Sequence, residues 1–255
     1  ARIEGIYRHM MDSYRRTDNP DALLLTNLDY LQWKRRTDPG FRPYHAPEGR
    51  IGLTQDPYLA ALNKLIAENQ SRDICAEVYL LKAQEAVNAG VPASGLQLCD
   101  EAISRYPAYH RINALRELKQ DILSPDFTVQ TPSAVYPGEE FDLKVSFKNL
   151  KSFAVQLYAI NLPVRPNAVE VPDETFLKKY GRLLSSVHYV LFPSGDYKMQ
   201  DSIFHMKAPE TGLYALRIVP DAEVRSNSAK FLSSTRFKVL TRSLPSKLSE
   251  VAVLD

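Results

Sequence analysis

The chain has 255 residues, 44% hydrophobic and 24% charged, the balance of a folded protein with room for one large domain or two ordinary ones. Its 32 basic and 30 acidic side chains leave a formal charge of +2, too even a field to argue for nucleic acid or an anionic membrane surface. No run of about 18 apolar residues occurs, so no helical membrane span is expected.

In RIEGIYRHMMDSYRR, residues 2–16, Ile3, Ile6, Tyr7, Met10, Met11 and Tyr14 recur at three- and four-residue spacing, which predicts a helix buried on one side. The chain opens in this helix without Met and without the layout of a signal peptide, so the expectation is a piece of a longer protein whose targeting segment has been removed. Asn19-Pro20 separates it from NPDALLLTNLDYLQWKRR, where Asn19 is a capping residue, Pro20 opens the helix, and Leu23, Leu24, Leu28, Leu31 and Trp33 point to a core. The doublets Arg15-Arg16 and Arg35-Arg36 close the two helices, where cations meet the negative end of the macrodipole.

Residues 37–56 hold three prolines and three glycines and follow neither period, which predicts a long connection. Helix resumes in DPYLAALNKLIAENQ, and then SRDICAEVYLLKAQEAVNAG and VPASGLQLCDEAISRYP form a pair joined at Gly90 to Pro92. Ala76, Ala83 and Ala86 are small residues set against large ones. The second member of the pair, running to Tyr106-Pro107, is similar to the second helix of a tetratricopeptide repeat, and AYHRINALRELKQDIL would begin the next unit. Residues 1–124 therefore read as a helical repeat-like domain of antiparallel helix hairpins, an architecture that buries its faces on neighbours and offers a surface to a partner.

After Leu123-Ser124-Pro125 the period falls from 3.6 to 2. In EEFDLKVSFKNL, Phe141, Leu143, Val145 and Phe147 alternate with Asp142, Lys144, Ser146 and Lys148, as in a half-buried antiparallel strand preceded by the turn Tyr136-Pro137-Gly138. SFAVQLYAINLP follows after Asn149-Leu150-Lys151, and so short a connection predicts a hairpin. Further strands are expected in VHYVLFP, YKMQDSIFHMKAP, GLYALRIVPD and STRFKVLTRS, while PDETFLKKYGRLLSS reads as a short helix or an irregular crossover. Six or seven strands over residues 125–242 predict an antiparallel β-sandwich.

The chemistry-bearing residues are scattered. Cys75-Ala76-Glu77-Val78 falls short of the Cys-x-Glu-Gln pattern of an internal thioester, because Val78 has no side-chain carbonyl to acylate the thiol, and Cys75 and Cys99 read as buried helical residues. His9, His45, His110, His188 and His205 form no metal-ligand spacing, although His188 and His205 lie on strands expected to be adjacent. Asp100-Glu101 and Glu139-Glu140 read as solvated pairs, and no phosphate cradle or nucleophile elbow is present. Tyr158, Tyr180, Tyr189 and Tyr197 are strand formers that, if exposed, offer rings to a sugar. No catalytic, cofactor-binding or metal residue is assigned, and the partner-binding residues are left open.

The order of parts, a repeat-like helical segment running into YPAYHRINALRELKQDILSPDFTVQTPSAVYPGEEFDLKVSFKNLKSFAVQLYAINL and later TGLYALRIVPD, resembles the N-terminal region of bacterial alpha-2-macroglobulin-like proteins of the Bacteroidetes type. The resemblance spans about residues 75–255 and rests on the Tyr-Pro-Gly turn, the strand ending in Asn149, and the strand carrying Gly212 and Tyr214. It implies a macroglobulin or fibronectin-III-like sandwich over residues 125–242, with 243–255 as a linker and the first strand of a further domain. It implies a non-enzymatic scaffold fragment without cofactor in a periplasmic or cell-envelope protein, the parent lipid-anchored and engaged in protease trapping or inhibition or in defence. The partners implied are other domains of the parent chain, proteases and envelope proteins. The alternative reading is a stand-alone two-domain protein that binds a peptide or glycan.

Overall fold

The computed structural model describes residues 2–41, 56–161, 172–224, 229–243 and 249–254. The chain divides into two compact units, Ala1–Leu123 and Ser124–Asp255, helical and mostly antiparallel β respectively.

The helical unit comprises α1 (Arg2–Arg16), α2 (Pro20–Thr37), α3 (Pro57–Asn69), α4 (Ala76–Asn88), α5 (Pro92–Arg105) and α6 (Ile112–Leu123). The chain sets their starts with side chains that accept otherwise unpaired N–H groups: Asn19 Oδ1 accepts from the N–H of Ala22 at 3.1 Å, and Asp56 Oδ1 from that of Tyr58 at 2.8 Å. Prolines 20, 57 and 92 open α2, α3 and α5, where a missing N–H costs nothing. Leu24, Leu28, Leu31, Tyr58, Leu62, Val78, Tyr79, Ala83, Cys99, Ala102 and Leu115 make one core. Helices α4 and α5 approach closely because Gly95 faces the Ala83 turn: a Cβ there would lie 2.9 Å from Val87 Cγ2 and 3.1 Å from the Ala83 carbonyl. Helix α1, whose one buried residue is Met11, packs on α2 through Tyr7, whose ring meets those of Tyr30 and Trp33 at 5.5 and 6.0 Å. Of the connection expected over 37–56, residues 42–55 lie outside the described residues.

The β unit comprises β1 (Asp126–Gln130), β2 (Ala134–Val135), β3 (Glu140–Lys148), β4 (Ser152–Ile160), α7 (Glu174–Tyr180), β5 (Gly181–Val190), β6 (Gln200–Lys207), β7 (Gly212–Pro220), β8 (Ala229–Ser234), β9 (Lys238–Ser243) and β10 (Ser249–Leu254). A three-stranded sheet runs β1-β3-β6, a five-stranded sheet β2-β8-β7-β4-β5, and β9 pairs with β10; among the described strands only β2 and β8 run parallel. Period-2 alternation places Phe141, Leu143, Val145 and Phe147 of β3 in one core with Phe153, Val155 and Leu157 of β4 and Leu216 and Ile218 of β7. On the other face of the five-stranded sheet, Phe176 and Leu177 of α7 cover Ala215 together with Tyr158, Ile160 and Phe231.

Three expectations are corrected. The hairpin of β3 and β4 does not form: β3 pairs with β1 and β6, and β4 with β5 and β7, so residues 149–151 carry the chain from one sheet to the other. Asn149 makes the change of direction at φ +55, with its side-chain amide donating to the Ser124 carbonyl at 3.3 Å, and Leu150 is buried. Strand β5 begins at Gly181, six positions before the strand expected at Val187, and β1 and β8 were not anticipated. Finally, His188 on β5 and His205 on β6 belong to different sheets. His205 Nδ1 lies 2.9 Å from Asp142 Oδ1 instead.

Candidate functional site

The most closely tied polar cluster of the helical unit is built on Arg35, in the last turn of α2. Its Nη1 donates to the Phe41 carbonyl at 2.7 Å and to both carboxylate oxygens of Asp56 at 2.9 and 2.7 Å, and Nη2 donates to Glu85 Oε2 on α4 at 3.0 Å. The guanidinium lies 4.8 Å from the centroid of the Tyr58 ring. The planar five-donor fork of arginine suits three acceptors on three segments, a task that the point charge of lysine does not match. Arg35 thus does more than close α2 as a dipole cap: it joins α2, α4 and the start of α3. Burial, and after it the negative charge of Glu85, push the Tyr58 phenol up to about 12, with Arg35 opposing.

Among the described residues no buried side-chain polar atom of this unit lacks a hydrogen-bond partner. Tyr109 Oη donates to Glu77 Oε1 at 2.8 Å, and Arg111 approaches the same oxygen at 3.0 Å. Tyr79 Oη donates to Glu101 Oε1 at 2.6 Å, and Tyr106 Oη to the Gln70 carbonyl at 3.0 Å. Burial raises all three phenols, with the carboxylate hydrogen bonds adding to the rise for Tyr79 and Tyr109. Glu101 is therefore half of a tyrosine pair, and its neighbour Asp100 meets Lys119 of α6 at 2.5 Å. Cys75 and Cys99 are fully buried free thiols, and burial pushes the latter up to about 11. Groups raised in this way are poor nucleophiles and bases at neutral pH.

Between α2 and α3 runs a groove of about 490 Å³ lined by Leu23, Leu31 and Leu65 with Asn27, Lys64 and Asn69 among others. Asn27 and Asn69 each donate one amide hydrogen to a carbonyl four residues back, Leu23 and Leu65, at 2.9 Å. That bond fixes each carboxamide while an oxygen and a second N–H remain to be offered, the complement of a peptide unit.

In the β unit the tyrosines do not share a face. Tyr189 stacks on Phe153 at 5.1 Å and meets Phe204 edge-on at 4.9 Å inside the core, whereas Tyr158 and Tyr180 pack around Phe176 on the opposite face of the sheet. Tyr197 takes φ +62 in the turn before β6. Glu140 stands opposite Lys207 across the β3–β6 ladder. His9 and His110 are exposed in the helical unit, and His45 lies outside the described residues. Among the described residues no group of three or more His, Cys, Asp or Glu is arranged to hold a metal ion, and no helix is long and apolar enough to cross a membrane.

No family model and no curated protein matches the chain. Among solved structures, a CARDB domain from Pyrococcus furiosus is 16% identical and covers 44% of this chain and 88% of its own, with a TM-score of 0.26. A chitin-binding domain from Burkholderia pseudomallei is 14% identical over 48% of this chain and 63% of its own, with a TM-score of 0.27. A Pseudomonas fluorescens alkylpurine DNA glycosylase bound to DNA is 12% identical over 83% of this chain and 64% of its own, with a TM-score of 0.24. Likenesses at these scores carry no argument about relationship or activity.

Proposed function

We propose that the chain is a non-enzymatic scaffold and interaction fragment of a large alpha-2-macroglobulin-like cell-envelope protein, with repeat-like helix hairpins followed by a macroglobulin domain. One observation carries the reading: two of the three features on which the resemblance rests, the Tyr-Pro-Gly turn and Asn149, stand at turning points of the β unit, and the third is one of its interior strands. Gly138 takes φ +79 in the turn into β3, a conformation open to glycine and costly to most residues. Asn149 ends β3 at φ +55, where asparagine is among the best tolerated non-glycine residues. TGLYALRIVPD supplies β7, which is flanked by β4 and β8.

In this reading the carboxylates and phenols of the helical unit hold helices together, and the parent's protease trapping or inhibition lies elsewhere in its chain. The partners are neighbouring domains of that parent, proteases and envelope proteins, in the periplasm or at the cell envelope. Sequencing the gene through and beyond the codon for Asp255 tests it. Repeated stretches of alternating strands extending for many domain lengths are expected, and a stop codon within a few codons would contradict the proposal.

A stand-alone peptide-binding protein is the second reading, favoured by the α2–α3 groove with its two anchored carboxamides. It requires a short gene, together with binding of an extended peptide that Asn27→Ala and Asn69→Ala both abolish.

A further inference from the structure

The edges of the two larger sheets are treated unequally. A free strand edge is a template for pairing with another chain, and proteins blunt it with short strands or charges. Here β1 has five residues, β2 has two, and β6 exposes Asp201, His205 and Lys207. Strand β5 has ten residues, no proline or lysine, and a single formal charge at Arg182 near its start. It leaves Leu183, Leu184, Val187 and Val190 between 40 and 61% exposed. A register shift beside Leu184 interrupts its regularity, and the run Ser185–Val190 beyond that shift is unbroken.

Hydrogen-bond parity tells which groups of that run are available. The Leu191 N–H donates to the Lys151 carbonyl at 2.8 Å, and the β4–β5 register places Ser152 opposite Val190. Alternation along an antiparallel ladder then turns the backbone groups of Ser185, Val187 and Tyr189 toward β4 and leaves those of Ser186, His188 and Val190 on an edge that no other described strand pairs.

We propose that β5 pairs antiparallel with β5 of a second copy of this chain about a two-fold axis at Val187. In this register Ser186 exchanges hydrogen bonds with His188 of the copy, as parity requires. Val187 meets its own copy in a non-hydrogen-bonded pair, where side chains come closest, and Ser185 faces Tyr189 of the copy. No like charges oppose each other, since Arg182 falls outside the paired run. Centring the axis on His188 would instead bring two imidazoles together, and centring it on Ser186 would replace the valine pair by Val187 against Ser185. One ladder buries less than the roughly 1,200 Å² of a standard interface, so the association is concentration-dependent rather than permanent.

The test is the molar mass of the full chain by size-exclusion chromatography with light scattering over a concentration series. The wild type is expected to rise from 28.9 kDa toward twice that value. Val187→Lys and Val187→Glu, each at an exposed position, are expected to stay monomeric alone and to dimerise when mixed. Val187→Cys is expected to form a covalent dimer on mild oxidation, and the native thiols do not compete because both are buried. Circular dichroism checks that the variants fold, and the wild-type series decides the matter without them. A wild type that stays at the monomer mass throughout, or Val187→Lys and Val187→Glu chains that each self-associate like it, would overturn the proposal.

Discussion

Arg35 illustrates what a single side chain does in the helical unit. Asp56, whose side chain is 7% exposed, accepts two bonds from Arg35 and one from the Tyr58 N–H, so its charge is tolerated only while the guanidinium is present. Arg35→Leu removes the cation and leaves Asp56 buried without its counter-charge, at an expected cost of about 3–5 kcal/mol. Urea unfolding followed by circular dichroism measures it, and Arg35→Lys should recover only part of the loss. Tyr58 provides a second test through pH. Its phenol ordinarily titrates at 10.0 and is pushed up to about 12 here, as is that of Tyr106. A folded-state value raised above the unfolded one means that the neutral phenol favours folding: the contribution is complete below pH 10 and disappears as pH passes 12. Far-ultraviolet circular dichroism should therefore fall together with the later wave of tyrosinate absorbance, after the exposed tyrosines have ionised. A helical signal lost before that wave would contradict the assignment.

At the scale of elements, the helices were legible because their signals are local. Asn19 three residues before Ala22, prolines at the first positions of α2, α3 and α5, and three-to-four spacing of leucines lie within one or two turns of each other. The carboxylate partners of Arg35 lie 21 and 50 positions away, so the doublet Arg35-Arg36 could be read only as a dipole cap. The same distinction separates the strands. The burial of β3 alternates along its length as its sequence does, whereas the exposure of most of β5 removes the alternation that would have marked GRLLSS as strand. A three-residue connection looks alike whether it closes a hairpin or crosses between sheets; the difference lies in the dihedral of Asn149. Asn149→Gly keeps the dihedral and loses only the side-chain bond to the Ser124 carbonyl, at about 1 kcal/mol, while Asn149→Val, β-branched at φ +55, should cost in addition at least the roughly 1–2 kcal/mol of a left-handed residue. Thermal unfolding of the two variants compares them directly.

For the whole molecule, the change of period after Leu123 marked a change of architecture, because a 3.6-residue stripe and a two-residue alternation cannot serve the same kind of core. The division into Ala1–Leu123 and Ser124–Asp255 is the three-dimensional counterpart of that change. What the molecule does was much less legible, because its interior polar residues pair with one another across α2 to α6 and leave no motif-like spacing. The role proposed for the two compact units is that of a part that positions other parts within a larger envelope protein. An antibody raised against this 28.9 kDa chain and used to blot fractionated cells tests that claim most directly. A single species many times this mass is expected in the envelope fraction; a cytosolic species close to 28.9 kDa would contradict the proposal.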